Sequence, residues 1–122
     1  MPEPRPVWLD LLAIRLPLPG WLSLIQRGSG VALALAFPLL VGLLAGSLSP
    51  EAPQLLRWGR SLPGRVLLAA LVWLAVQHAL GGLRYLLLDV GLAGSLVTAR
   101  RLSVLILLFS AFAALRVLLA GD

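Results

Sequence analysis

Cysteine and lysine are absent from this chain, and histidine occurs once. Without cysteine there is no disulfide, no thiolate ligation of a metal and no iron–sulfur cluster held by this chain, and one histidine is too few for a zinc site of its own. Any metal must be shared with a cofactor or with another chain. Charge is also scarce, at 12% of residues. All ten basic residues are arginines, giving a formal net charge of +5. They are scattered singly, so lipid headgroups, interfacial anchoring and a few buried guanidiniums account for them better than a nucleic-acid partner does.

What the chain has in excess is apolar surface. Hydrophobic residues make up 60% of it and its mean hydropathy is +0.99, far from soluble globular usage. The expectation is an all-α integral membrane protein of three transmembrane helices, with no room in 122 residues for a soluble catalytic domain. The first span is charge-free over 28–50, has a polar shoulder from Trp21, and ends in the turn-forming run Ser47-Leu-Ser-Pro-Glu-Ala-Pro53. The second opens at Ser61, an N-cap residue with Pro63 in the first turn, and continues to about Val90. That length is roughly 40 Å against a hydrocarbon core of about 30 Å, so its far end should protrude with Arg84 and Asp89 toward water or a partner. The third follows Arg100 and Arg101 and carries Arg116 near its end, where it can snorkel; residues 91–99 are read as the connection. The spans are thus 21–49, 62–90 and 101–120 within a transmembrane domain of 21–122.

Residues 1–20 do not read as a signal peptide, because Pro2, Pro4, Pro6, Asp10, Pro17 and Pro19 interrupt what would have to be an apolar core. They read as an interfacial segment. Arginine counting sets Arg5, Arg15, Arg27, Arg100 and Arg101 on one side against Arg57, Arg60, Arg65 and Arg116, which leans toward a cytoplasmic N-terminus.

Two constellations carry chemistry. His78 lies within the membrane-length apolar run 66–83, where an imidazole needs a partner. Gly82, Tyr85 and Asp89 follow at spacings that return to nearly the same helical angle. The ring is either a histidine bridging two helices or an axial haem ligand, since imidazole is a usual protein donor to haem iron and bundle cofactors are held from facing helices. In the first span Ser23, Gln26, Arg27 and Gly30 fall at i, i+3, i+4 and i+7. An interfacial arginine beside a self-bonded serine explains that pattern. So does a small polar pocket for a quinone, whose carbonyls suit one hydroxyl donor and one fixed positive charge. Gly42 and Gly46 form a GxxxG pair that marks close helix contact.

The segments Arg5-Pro-Val-Trp-Leu-Asp-Leu-Leu-Ala-Ile-Arg-Leu-Pro17, Ser23-Leu-Ile-Gln-Arg-Gly-Ser-Gly30 and His78-Ala-Leu-Gly-Gly-Leu-Arg-Tyr-Leu-Leu-Leu-Asp89 together resemble the cytochrome b556 membrane-anchor subunit of succinate dehydrogenase, respiratory complex II. The family patterns are S-x-x-H-R-x-[ST]-G and H-x-x-x-G-x-R-H-x-x-x-D. Ser23, Arg27, Ser29, Gly30, His78, Gly82, Arg84 and Asp89 conform, while Gln26 and Tyr85 stand where histidine is usual. The order and separation of the segments also match, over about three quarters of the chain.

The resemblance implies that His78 is the axial ligand of a haem b whose other ligand comes from a companion anchor subunit. It implies that Ser23 and Arg27 contact ubiquinone, with Arg27 also near the haem propionates, Arg84 a further propionate candidate and Gly82 packed on the haem. The implied partners are the companion anchor, an iron–sulfur subunit and a flavoprotein that oxidises succinate, a step this chain does not perform. The implied location is the bacterial inner membrane, with the N-terminus cytoplasmic and the C-terminus periplasmic. Of the two departures, Gln26 cannot be protonated and Tyr85 brings a phenol in place of an imidazole; neither alters the axial ligand. A non-redox scaffold subunit and a small proton-coupled transporter are the competing classes, the latter needing a polar path for which the chain offers little beyond Gln77 and His78.

Overall fold

The computed structural model describes residues 15–50, 52–92 and 94–120, and the regular structure there is helical: α1 (Leu18–Ser47), α2 (Ala52–Arg60), α3 (Leu62–Asp89) and α4 (Leu96–Leu119). Of the expected segment 1–20, residues 1–14 lie outside the described residues. Helices α1, α3 and α4 are each long and apolar enough to cross a membrane, as an all-α membrane protein requires, because a helix satisfies its own backbone groups where water cannot.

Local chemistry explains where each helix starts and stops. α1 begins with proline in its first turn, a position whose N–H would be unpaired in any case. Pro38 lies inside it. At α3, Ser61 adopts an extended backbone and its hydroxyl accepts a hydrogen bond from Gly64 N at 3.3 Å. Its other end is a Schellman turn, with Leu92 N bonded to Leu87 O at 2.9 Å and Gly91 N to Leu88 O at 3.0 Å. Gly91 has a φ of 78°, which a residue with a Cβ adopts only at a cost.

Two elements differ from the sequence expectation. The stretch between the first two expected spans, 50–61, reads as only a connection, yet it holds α2. Its prolines misled: Pro53 falls in the first turn of α2, where it favours a helix instead of breaking one. α4 starts at Leu96, several residues before the expected 101, because Ser95 caps it by accepting from Thr98 N at 3.1 Å. Arg100 and Arg101 therefore lie within its first two turns.

α3 is the central helix, with its broadest interface against α4 and a second against α1. The buried positions of α4 are Ala99, Ser103, Ile106 and Ser110, a stripe of mostly small residues that lets the helix axes come close. Ser103 and Ser110 donate back to Ala99 O and Ile106 O, at 2.8 and 2.7 Å, and Ser110 also meets the fully buried Gln77 at 3.2 Å. Arg65 donates to Leu118 O at 3.3 Å, placing a cation on the carbonyl end of α4. The GxxxG pair does not act as a unit. A Cβ on Gly46 would meet Leu55 of α2 at 3.3 Å, whereas one on Gly42 would meet nothing within 4 Å.

Gly91→Ala should destabilise the α3–α4 turn by about 1–2 kcal/mol, the strain of a left-handed alanine, and lower the thermal midpoint of the purified protein. Gly94→Ala, in open space with no left-handed φ, is the control; equal midpoints for the two would mean that the turn is not so constrained.

Candidate functional site

Where α1 crosses α3 the two helices bond to each other through polar groups. Gln26 and Ser29 are two of the three buried residues of α1, with Leu22. The Gln26 side-chain amide donates to the His78 backbone carbonyl at 2.8 Å. The Ser29 hydroxyl donates to the Gln26 carbonyl at 2.9 Å. His78 Nδ1 lies 3.2 Å from that same carbonyl and 3.2 Å from Ser29 Oγ.

These distances favour one imidazole tautomer over the other. A serine hydroxyl has one proton, and here it goes to the Gln26 carbonyl, leaving lone pairs toward His78. The Gln26 amide nitrogen also lies 3.4 Å from Nδ1; one of its two protons goes to the His78 carbonyl at 2.8 Å, and the other is a single, more distant donor set against two acceptors at 3.2 Å. If Nδ1 carried a lone pair, it would face the lone pairs of Gln26 O. A protonated Nδ1 has two acceptors, so Nδ1–H is the consistent state. Nε2 then holds the free lone pair, and among the described residues it has no hydrogen bond. A ring held by Nδ1–H on a carbonyl, with Nε2 open, is the usual arrangement of a metal-ligating histidine.

Two glycines permit this crossing. A Cβ on Gly30 would stand 2.8 Å from His78 Cε1 and 3.3 Å from Nδ1, so a side chain there would push the ring aside. A Cβ on Gly81 would collide with Gln26 Oε1. The expected close approach was at Gly82, but there a Cβ would meet the Gln26 amide at an ordinary 3.7 Å. The tight contact belongs to its neighbour.

Other expected site residues divide between two faces. Ser23 is half-buried and Arg27 exposed, on the flank of α1 next to the inward Leu22, Gln26 and Ser29. The four residues read as one face therefore split: Gln26 turns into the chain while Arg27 turns out. Among the described residues Arg27 bonds to Ser23 alone, at 3.5 Å to its carbonyl and 3.4 Å to its hydroxyl. Such long contacts are readily exchanged for a ligand oxygen.

On α3, His78, Gly82 and Tyr85 are half-buried and Asp89 is exposed, whereas Gln77, Gly81 and Arg84 form the buried face. Arg84 differs from its expectation. It does not protrude: it is 5% exposed, packed within the chain, and its Nε has no partner among the described residues. Its guanidinium lies 5.6 Å from the centre of the Tyr85 ring, within reach of a cation–π attraction. Helix length alone suggested projection, but the register of α3 turns Arg84 with Gln77 and Gly81 toward its neighbours.

Sequence reasoning missed the role of Ser29 and Gly81. Ser29 differs from Gln26 by one short helical step, and its neighbour Gly30 was the available signal: a glycine beside a hydroxyl, on a helix that must approach an imidazole. No group of three or more histidine, cysteine or acidic residues that could hold a metal by itself occurs among the described residues. The chain matches a family model described as the succinate dehydrogenase/fumarate reductase transmembrane subunit over residues 1–117, a span that includes both Ser23–Gly30 and His78–Asp89.

Proposed function

This chain belongs to the succinate dehydrogenase/fumarate reductase transmembrane-subunit family, and on that premise we propose that it is the cytochrome b anchor of a succinate:quinone oxidoreductase. In this reading His78 is the axial ligand of haem b, and Ser23 and Arg27 line the ubiquinone-reduction site. The observation that carries it is the His78 ring, with Nδ1 beside Gln26 O and Ser29 Oγ and Nε2 without a hydrogen bond among the described residues. A haem there would supply a one-electron relay beside the quinone pocket. The second axial ligand would come from a companion anchor subunit, in keeping with a sequence that has a single histidine.

The chain's own residues have definable tasks. Gln26 and Ser29 hold the imidazole, and Gly30 gives it room. Arg27, a fixed cation turned outward, is placed to stabilise negative charge developing on a quinone oxygen and to meet a propionate. Ser23 can exchange its contact with Arg27 for a hydrogen bond to a quinone carbonyl and help a proton arrive there. Arg84, a buried cation whose Nε has no partner among the described residues, is a second propionate candidate, and Gly82 a place for the macrocycle to approach α3. Succinate oxidation would belong to a flavoprotein, with an iron–sulfur subunit passing electrons to this membrane. The bacterial inner membrane is the proposed location, N-terminus cytoplasmic and C-terminus periplasmic.

Replacing His78→Ala should abolish the low-spin haem b signal of the assembled complex. A reduced-minus-oxidised spectrum identical to that of the unaltered complex would sink the assignment and favour a non-redox scaffold.

Ser23→Ala and Arg27→Leu should slow quinone reduction by roughly 10²–10³-fold, the usual loss when a donor to developing oxyanion charge is removed. Succinate oxidation with a soluble artificial acceptor should persist. Parallel loss in both assays would indicate failed assembly and count against a quinone role.

Deleting residues 2–16 should release the hydrophilic subunits from the membrane, if that segment docks the iron–sulfur subunit on the cytoplasmic side. Peripheral subunits still membrane-bound after the deletion, or an N-terminal reporter detected outside the cytoplasm, would refute the arrangement.

A further inference from the structure

The contact that defines the His78 ring comes from another helix. Ser29 is 2% exposed, and its hydroxyl gives its proton to Gln26 O at 2.9 Å while its oxygen lies 3.2 Å from His78 Nδ1. This three-membered arrangement ties ring, hydroxyl and carbonyl together across α1 and α3. It contains no carboxylate, the partner that would draw Nδ1–H most strongly, so the ring is held by neutral acceptors. Gly30 lies against the ring too, where a Cβ would come within 2.8 Å of Cε1 and 3.3 Å of Nδ1. Ring tilt and ring tautomer are therefore both set by residues 26–30.

We propose that Ser29 is a positioning residue for the His78 imidazole: its hydroxyl fixes the Nδ1–H tautomer and the rotation of the ring, and so governs how firmly a haem is held at Nε2. The proposal rests on the reading of His78 as an axial ligand. It adds a function for a side chain that touches neither haem iron nor quinone.

The test is made on the assembled, detergent-purified complex, with the residue altered to alanine, threonine and valine. Threonine keeps the hydroxyl, which in a helix can still bond the carbonyl three residues back; valine has nearly the same shape without it. Two readouts are needed: the rate of haem loss to an excess of a haem-scavenging globin, and the g-values of the ferric low-spin signal, which report axial-ring orientation. Ser29→Ala and Ser29→Val should release haem faster, by about the 10–100-fold typical of lost outer-shell partners, with shifted g-values. Ser29→Thr should stay close to the unaltered complex.

Wild-type loss rates and g-values in both Ala and Val variants would overturn the proposal. Threonine and valine behaving alike would overturn it too, since shape and not the hydroxyl would then matter. If the Ser29 variants fail to assemble, Gly30→Ala provides an independent reading, because its Cβ must rotate the ring and shift the g-values; unchanged g-values there would contradict the proposed ring contact. Failure of the underlying reading looks different: His78→Ala would retain the complete haem spectrum, and the positioning role would fall with it.

Discussion

The reciprocal hydrogen bonding between α1 and α3 is the contact that orders this molecule. Gln26 gives its amide proton to the His78 carbonyl, and its own backbone carbonyl faces His78 Nδ1. Each interhelical hydrogen bond within a membrane contributes modestly, on average about 0.6 kcal/mol and at most about 1.7. The cost of leaving the same buried groups unpaired is larger, about 1–3 kcal/mol each. The bonds therefore specify more than they stabilise. A one-residue slip of α1 along α3 would leave an amide, a hydroxyl and an imidazole without these partners and carry the Gln26 side chain away from Gly81, the glycine whose missing side chain makes room for it.

The same logic recurs between α3 and α4, with less chemistry. Gln77 and Ser110 meet in a fully buried pair, and Ser103 and Ser110 spend their protons on their own helix. Small residues there bring the helices together, and polar atoms fix which residues meet. Outside these seams the chain is apolar: Val31, Leu35, Phe37 and Leu44 on α1, and Leu105, Leu108, Phe109 and Phe112 on α4, are all exposed. The most apolar stretch of α1 has 6% of its residues buried, against 22% for α3. α1 thus packs on α3 through its polar N-terminal turns and meets α2 at Gly46, while its exposed apolar side chains face hydrocarbon or another protein.

Much of this was legible in the sequence, and what was not has a physical cause. The class of fold followed from apolar run length, because a continuous apolar run of that length satisfies its own backbone in lipid as a helix, whereas barrel strands are short and alternate apolar with polar. Ser61 as the start of α3 followed from capping chemistry and is the start observed. The helix 52–60 was hidden because proline signals both a turn and a first helical turn, and the sequence does not say which. Arg84 was misplaced because helix length fixes how far a residue lies along the axis but not which way it faces. That direction depends on which side of α3 receives α4, a tertiary fact. The membership of Ser29 in the site was hidden for the same reason. Its position within α1 was known; its distance to His78 required the crossing angle.

The glutamine at position 26 brings these points together. A histidine there, as in the pattern this chain resembles, could donate or accept and could change charge. Glutamine cannot change charge or exchange a proton at neutral pH: its carbonyl only accepts and its amide only donates, one N–H going to the His78 carbonyl at 2.8 Å. Its Oε1 has no partner among the described residues and lies against Gly81, so the acceptor cost is borne where a backbone without a side chain lets it be. The backbone carbonyl of residue 26, unlike its side chain, is the same whatever amino acid stands there. The hold on Nδ1 is therefore insensitive to this substitution, and proton exchange near the ring is what the substitution removes. An arrangement in which the ring's orientation depends on a main-chain acceptor and one hydroxyl can vary its titrating neighbour and still keep Nε2 in place.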